Sequence, residues 1–189
     1  MIRIAVVGDI GSGKSYVAKS FRYPVFNADI EVAKLYQNNK IIFNRLKKVL
    51  SKYIYSFPIN KNEISKAILA NQLNLNKIVK IIHPEIKKKM NIFLKKNKKK
   101  KFLVLDIPLL LENKINKKGD IIIFVESKKS EIIKRLKKRK NFNLRLFKRF
   151  KNIQLPLDYK KKKSHFIIKN DFTNSSIKDS IRIILKKIL

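Results

Sequence analysis

Stretches of consecutive apolar residues alternate with amphipathic stretches along the whole chain. The apolar stretches predict five strands, over residues 2–7, 24–29, 101–108, 120–126 and 165–170. The amphipathic stretches predict helices over 14–21, from the second strand to about residue 50, within 61–97 with breaks near Pro58 and at His83-Pro84, after each of the third and fourth strands, and over 176–189. Strands that are apolar at every position are typical of a parallel sheet covered on both faces. The pattern therefore predicts an α/β fold, a parallel sheet flanked by helices.

The composition limits the class of protein. The chain has 189 residues, the size of one ordinary domain, and no linker rich in proline, glycine or serine divides it. It contains no cysteine, which excludes disulfides and cysteine-ligated metal centres. The first apolar stretch is too short for a secretory signal, and no stretch is long enough to span a membrane. We therefore expect a cytoplasmic protein without a membrane partner.

The charge of the chain is strongly positive. Lysine and arginine account for 47 residues against 13 aspartates and glutamates, so the formal net charge is +34. Such a charge suits a nucleic-acid-binding protein, because cations neutralise phosphates. The lysines are nevertheless spread over nearly every predicted helix, and they accompany abundant Ile, Asn, Phe and Tyr, all residues with A/T-rich codons. We therefore favour codon bias over a specific nucleic-acid partner; the charge would also attract a small anionic substrate.

A glycine-rich segment lies between the first strand and the first helix. Its sequence, GDIGSGKS at residues 8–15, fits the phosphate-loop pattern Gly-x-x-x-x-Gly-Lys-Ser. In such a loop the backbone N–H groups and the helix N-terminus bind phosphate, the lysine reaches the outer phosphates and the serine ligates Mg²⁺. A chance glycine-serine turn is the alternative, and the position between strand and helix argues against it. We predict that ATP and Mg²⁺ bind here, the metal at Ser15, through Gly8, Gly11, Ser12, Gly13, Lys14, Ser15 and Tyr16.

The loop alone does not identify the phosphate acceptor. A GTPase needs Asn-Lys-x-Asp after a strand, and the last predicted strand continues IIKND without that motif. Helical segments between the second and third strands suit a kinase of small metabolites. Asp29 follows the second strand, where a carboxylate can accept the proton of an attacking hydroxyl. On spacing alone, an N-cap of the following helix explains Asp29 equally well.

Five motifs, in order along the chain, resemble those of the dephospho-coenzyme A kinase family. GDIGSGKSY resembles its phosphate loop, NAD before a helix resembles its Asp-Ala-Asp, and IIHPEI resembles its His-Pro on an inserted helical lobe. DIPLLLEN is similar to its Pro-Leu-Leu-x-Glu, and QLPLDYK followed by HFIIKN is similar to its Gln-x-Pro-x-x-x-Lys before a strand that ends in Asn. The resemblance implies transfer of the ATP γ-phosphate to the ribose 3′-hydroxyl of dephospho-coenzyme A, giving coenzyme A and ADP, the last step of coenzyme A biosynthesis.

The resemblance also implies roles for single residues outside the loop. By position, Asp29 matches the family's general base, and Lys14 acts with it in catalysis. Arg139 matches an arginine that enters a mobile lid and follows the transferred phosphoryl group; one more surface cation is its alternative. Asn170 would lie near the adenine, although a turn residue at the end of a strand is the alternative.

Further matches concern the acceptor and the metal. His83 and Glu112 match residues of the acceptor side. For His83 we favour a structural His-Pro at a helix boundary over a contact with the acceptor, and Glu112 is either a positioning or an acceptor-side residue. Asp106, at the end of the third strand, would hold Mg²⁺ through water, and a turn residue at the end of a strand is its alternative. The implied layout is a single kinase domain over 1–189 with a core of about 1–30, 101–138 and 165–189, a helical acceptor lobe of about 31–100 and a helical lid of about 139–154. We expect a monomer.

Several positions depart from the family pattern. Asp9 replaces a loop glycine and brings a negative charge close to bound phosphate unless its side chain turns toward a lysine or arginine. Asn27 replaces the first acid of Asp-Ala-Asp, and Tyr16 replaces a threonine. Phe150 stands where the lid often has an arginine, with Arg149 one position earlier. These departures put catalytic efficiency in question and leave the main ligands in place.

Two rival functions come from different classes. A nucleoside or nucleoside-monophosphate kinase would carry the same loop, and a nucleic-acid-binding ATPase would account for the charge. A comparison of acceptors, and of ATP turnover with and without DNA or RNA, separates them from the implied function.

Overall fold

Parallel strands form the centre of the fold, as the apolar stretches predict. The structure is a computed structural model that describes residues 1–139 and 142–189. One sheet has the strand order β2-β3-β1-β4-β5, and every neighbouring pair is parallel. The strands are β1 Ile2–Gly8, β2 Val25–Asn27, β3 Phe102–Asp106, β4 Ile121–Glu126 and β5 Phe166–Lys169. The predicted α/β class is confirmed.

Helices occupy most of the chain between the strands. They are α1 Lys14–Ser20, α2 Ala28–Asn38, α3 Lys40–Val49, α4 Lys61–Ala70, α5 Gln72–Lys96, α6 Lys129–Lys137, α7 Leu144–Asn152, α8 Leu157–Lys162 and α9 Asn174–Ile188. None of the helices in the described ranges is long and apolar enough to span a membrane.

The chain divides into two compact units. The first, here the sheet unit, comprises Met1–Asn27, Asn97–Asn143 and Phe150–Leu189. The second, here the helical unit, comprises Ala28–Lys96 and Leu144–Arg149. The boundary therefore passes through α7 and cuts the predicted lid, and Lys140 and Asn141 of that lid lie outside the described residues. The domain layout inferred from the resemblance stays a prediction.

The sheet unit has a continuous apolar core. Val17 of α1 and Ile177 and Ile181 of α9 pack with Val104 of β3 and Ile168 of β5. All five residues of β3 are buried, because neighbouring strands flank it on either side and helices cover its faces. This burial explains why the central strands read as unbroken apolar stretches.

The helical unit is built around its longest helix. α5 packs against α2, α3 and α4 and buries Leu75, Ile78, Ile82 and Met90 along one side. The turn before α4 is held by the buried Glu63, whose carboxylate accepts from the backbone N–H of Tyr55 at 2.9 Å.

The predicted break at His83-Pro84 is wrong. α5 continues through Pro84, although a proline inside a helix removes one backbone hydrogen bond. Leu75, Ile78 and Ile82 before Pro84 and Met90 after it are buried, and the burial of these apolar side chains offsets the lost bond. The actual break comes at Asn71, whose extended backbone ends α4 and whose side chain accepts from the N–H of Asn74 at 2.8 Å.

Three other boundaries differ from the prediction. No helix follows β3 in the described chain: residues 108–114 form turns, because Leu109 and Lys114 adopt positive φ angles of 57° and 51°. The helix predicted to reach residue 50 is two helices, separated where the Asn39 side chain caps α3 by accepting from the N–H of Ile42 at 3.0 Å. β2 ends at Asn27, so Asp29 belongs to a helix and not to a strand end.

Candidate functional site

The glycine-rich loop joins the carboxyl end of β1 to the start of α1. Gly13 is the N-cap of α1 with a φ of 89°, and its carbonyl accepts from the N–H groups of Tyr16 and Val17 at 3.0 Å each. A Cβ at Gly8 would lie 2.6 Å from the carbonyl oxygen of Val125 on β4. Both positions therefore require glycine, and the loop turns directly from a buried strand into a helix N-terminus.

A buried asparagine from the other end of the chain holds this loop. The Asn170 side chain donates to the backbone carbonyl of Ser12 at 2.8 Å, and the Ser127 hydroxyl donates to the same oxygen at 3.0 Å. The side-chain oxygen of Asn170, Oδ1, accepts from the N–H of Phe172 at 2.8 Å. Asn170 follows β5, and parallel pairing of β5 with β4 brings it to the same edge of the sheet as the loop. Its predicted place near the adenine stays a prediction, and the structure adds an anchoring contact.

The Lys14 ammonium lies over the loop. Its Nζ donates to the backbone carbonyl of Asp9 at 2.7 Å and reaches that of Gly8 at 3.4 Å. Ser15 and Tyr16 follow in the first turn of α1, and both are exposed. The predicted phosphate-binding residues of the loop thus form one continuous segment with a cation above it.

Asp9 is paired with a lysine. Its Oδ1 accepts from the backbone N–H of Ile10 at 2.7 Å and from Nζ of Lys151 at 2.6 Å. The side chains of Asp9 and Lys151 are 16% and 38% exposed. The negative charge that Asp9 brings into the loop is therefore compensated by a cation from α7. Lys151 is not among the residues that the motifs single out.

Asn27 and Asp106 meet across the sheet. They are register partners on β2 and β3, and the Asn27 amide donates to the buried Asp106 carboxylate. An acid at position 27 would oppose a second carboxylate at hydrogen-bonding distance, so asparagine here removes a repulsion.

The oxygen donors near the loop fit a magnesium ion that arrives with nucleotide. Ser15 offers a hydroxyl and Asp106 a carboxylate, and Mg²⁺ takes one or two protein oxygens together with phosphates and waters. Within the described part of the chain, no three His, Cys, Asp or Glu side chains cluster into a complete metal site.

Glu112 forms a buried ion pair beside the loop. Its carboxylate lies 2.6 Å from Nζ of Lys160 on α8 and accepts from the N–H of Leu155 at 3.1 Å. Lys14, Glu112, Lys160 and Gln154 together line a cavity of about 10 Å³, large enough for about one water molecule. Among the described residues, the buried Oε1 of Gln154 has no hydrogen-bond partner. Gln154 and Lys160 are the first and last residues of the motif QLPLDYK. The motif therefore contains two residues of this cavity that the sequence analysis did not predict as site residues.

A larger cavity borders Glu112 as well. Its volume is about 420 Å³, and Leu155, Tyr159 and Lys163 are among its lining residues. A cavity of this size can hold a small molecule or part of one.

A cation–aromatic contact, which no motif indicated, lies next to the loop. The guanidinium of Arg135 on α6 lies 4.1 Å from the ring centroid of Phe172. A Cβ at Gly13 would lie 3.4 Å from the same ring, so Phe172 flanks the start of α1.

Arg139 and Arg149 are the two arginines that the sequence places at the predicted lid. Arg139 follows α6, is exposed, and donates its backbone N–H to the carbonyl of Leu136 at 3.1 Å. Arg149 belongs to the helical unit, where its guanidinium donates to the carbonyl of Leu69 at 3.2 Å. The lid role of Arg139 stays a prediction.

Asp29 and His83 belong to the helical unit. Asp29 is exposed in the first turn of α2, one residue after the helix begins, so it lies inside the helix and not at the N-cap. An acid in a first turn also complements the helix dipole. Partial desolvation lowers the pKa of His83, which keeps its imidazole neutral at physiological pH.

Comparison with known proteins points to one family. The model of the dephospho-CoA kinase family matches residues 2–177. The dephospho-CoA kinase of Wolbachia pipientis wMel is 33% identical over 187 residues, which cover 94% of this chain and 95% of that protein. The corresponding protein of Bacillus cereus is 31% identical over 193 residues, with coverages of 97% and 96%.

Solved structures share the fold. A crystal structure of a Thermus thermophilus protein superposes with a TM-score of 0.78 at 21% identity and covers 100% of this chain and 98% of that one. The dephospho-CoA kinase from Campylobacter jejuni gives a TM-score of 0.63 at 21% identity, with coverages of 98% and 96%.

Proposed function

The chain belongs to the dephospho-CoA kinase family, and on that premise we propose that its phosphate loop transfers the γ-phosphate of ATP to the ribose 3′-hydroxyl of dephospho-coenzyme A. The observation that carries the proposal is the loop after β1, with two glycines that tolerate no side chain and the Lys14 ammonium lying over its carbonyls. The products are coenzyme A and ADP, and the reaction is the last step of coenzyme A biosynthesis.

The loop and Lys14 supply most of what phosphoryl transfer requires. The transition state is loose, so the protein contributes alignment and charge compensation more than covalent chemistry. Backbone N–H groups at the N-terminus of α1 and the ammonium of Lys14 stabilise the phosphate oxygens. Ser15 and Asp106 would hold Mg²⁺, which neutralises phosphate charge when bound.

We assign the role of general base to Asp29. Its carboxylate is exposed, as a group that must meet a substrate hydroxyl has to be. Its place inside the first turn of α2 weakens the alternative of an N-cap. The replacement of the neighbouring acid by Asn27 leaves Asp29 as the carboxylate that performs this step.

In this proposal Glu112 lies on the acceptor side and positions groups there. Its carboxylate is engaged by Lys160 and by the N–H of Leu155, and it borders the cavity of about 420 Å³. His83, neutral at physiological pH, would contact the acceptor as a hydrogen-bonding group. Arg139 would enter the lid of about 139–154, whose closure keeps water from competing with the acceptor.

The substitution Asp29→Asn tests the assignment. We expect turnover of ATP with dephospho-coenzyme A to fall by about 10²–10⁴-fold, because general-base catalysis is lost, with little change in ATP affinity. Coupled ADP-release kinetics and calorimetric titration with MgATP measure the two quantities. Asp158→Asn is the matched control, since Asp158 is also an exposed acid in the first turn of a helix. Near-normal turnover of the Asp29 variant would return this residue to a structural role.

A panel of acceptors tests the reaction itself. The wild-type protein should release ADP fastest with dephospho-coenzyme A. A nucleoside monophosphate that turned over far faster would identify a nucleotide kinase, and ATP turnover stimulated by DNA or RNA at physiological salt would identify a nucleic-acid-dependent ATPase.

A further inference from the structure

The ion pair of Asp9 and Lys151 joins the phosphate loop to α7. Oδ1 of Asp9 and Nζ of Lys151 are 2.6 Å apart, and the two residues are separated by 142 positions in sequence. Both belong to the sheet unit. The contact is therefore a product of the fold of one compact unit and not of local sequence.

Two ammonium groups converge on Asp9 through different atoms. Lys14 donates to its backbone carbonyl at 2.7 Å, whereas Lys151 binds its carboxylate. The carboxylate also accepts from the N–H of Ile10, a loop amide. Without Lys151, a full negative charge would stand within the segment that has to receive a triphosphate, and like charges at short range repel.

We propose that Lys151 is a positioning residue for the nucleotide, which acts by neutralising Asp9 and thereby lets an acid-containing phosphate loop bind a triphosphate. The inference rests on the proposed function only in that MgATP binds the loop. It assigns to Lys151 a role that exists because Asp9 is present, so the effects of the two residues must be coupled.

The alternative is that Lys151 and Asp9 form a surface ion pair without any role in nucleotide binding. A second lysine of similar exposure, Lys161, provides the matched comparison. Lys161 lies 2.6 Å from Glu126 and is 41% exposed, against 38% for Lys151. Removal of either lysine lowers the net charge equally. If only the overall charge matters, both variants should therefore weaken nucleotide binding equally. If the pairing with Asp9 matters, the Lys151 variant should weaken it more, because Lys151 binds a carboxylate inside the loop and Lys161 does not.

A double-mutant cycle on the full chain tests the coupling, with MgATP affinity measured by calorimetric titration for wild type, Lys151→Met, Asp9→Asn and the double variant. We expect Lys151→Met to weaken binding about tenfold in the presence of Asp9 and less than about twofold in the presence of Asn at position 9. Lys151→Arg should keep the wild-type affinity because it keeps the charge. Lys161→Met should change the affinity less than about twofold.

Two results would overturn the proposal. One is an equal loss from Lys151→Met in both backgrounds, which would mean that Lys151 acts on the nucleotide independently of Asp9. The other is no loss in the wild-type background. If Lys151→Met does not fold, Lys151→Gln replaces it in the same cycle. The proposed function fails separately: a coupled cycle without phosphorylation of dephospho-coenzyme A refutes the acceptor and leaves this inference intact.

Discussion

Two pairs of an aspartate with a cation lie at opposite ends of β1. At the amino end, Arg3 binds the Asp120 carboxylate through two nitrogens, and both side chains are less than 10% exposed. At the carboxyl end, Asp9 meets Lys151 through a single ammonium contact, and Lys151 is 38% exposed. The same charges thus form a buried two-point bond in one place and a half-exposed single contact in the other.

The difference reflects what each end of a parallel sheet does. The amino-end pair ties the start of β1 to the residue before β4, and Asp120 also accepts from the N–H of Lys117 at 2.8 Å. The carboxyl end carries the loop, where ligands of such sheets bind, and a contact there has to accommodate their charge. We therefore expect stability to depend on the amino end and turnover on the carboxyl end.

Substitution of the loop lysine tests the carboxyl end most strongly. Lys14→Met should reduce turnover about a thousandfold, equivalent to about 4 kcal/mol of transition-state stabilisation, because the charge over the phosphates is lost. Its free energy of unfolding should change little. Steady-state ADP release and urea unfolding measure the two. Lys19→Met, on the exposed side of the same helix, is the control, and a loss of less than about tenfold in Lys14→Met would contradict a catalytic role.

Substitution of the buried aspartate tests the amino end. Asp120→Asn should lower the free energy of unfolding by about 3 kcal/mol, because it leaves the buried guanidinium of Arg3 without its counter-charge. Turnover by the folded protein should stay close to that of the wild type. Asp179→Asn is the control, since Asp179 forms an exposed pair with Arg182 at 3.2 Å. If both variants lose the same small amount in urea unfolding, the buried pair has no special weight.

A third aspartate, Asp171, tests whether every acid at the carboxyl end of the sheet affects turnover. Asp171 follows β5, and hydrogen bonds from Thr173 and Ser176 lower its pKa to about 2. A carboxyl group with a depressed pKa stabilises the fold above its ordinary pKa, and this contribution is lost as the pH falls through about 2. Asp171→Asn should therefore lower the melting temperature slightly at pH 7 and by progressively less as the pH falls toward and below about 2, with turnover unchanged. Thermal unfolding across this pH range is the measurement, and a difference that does not vary with pH would refute it.

The parts of the fold that follow local rules could be predicted from the sequence. The strands are apolar throughout because both faces of the sheet are covered, and the loop glycines are needed at the turn itself. The break predicted at Pro84 is wrong because the rule that proline ends a helix considers only local backbone hydrogen bonding. In α5 the burial of apolar side chains offsets the cost of one proline. The helix predicted after β3 is absent from the described residues because Leu109 adopts a positive φ, and nothing in the local sequence indicates that conformation.

The candidate site divides in the same way. Eight consecutive residues were enough to predict the phosphate loop with its lysine and its serine. This is possible because such a loop binds phosphate through the backbone groups of one short segment. The family resemblance, also read from the sequence, is confirmed by the family model over residues 2–177.

The partners of the charged side chains depend on the three-dimensional fold. Strand order brings Asn27 to Asp106 across 79 positions, Arg3 to Asp120 across 117, and α7 brings Lys151 to Asp9 across 142. No local spacing predicts such pairs, because a hydrogen bond or an ion pair forms wherever the fold brings two groups together, however far apart they are in sequence. The motif thus predicts a phosphate-binding loop from local sequence. The packing of distant segments decides which cation pairs with the acid that this loop contains.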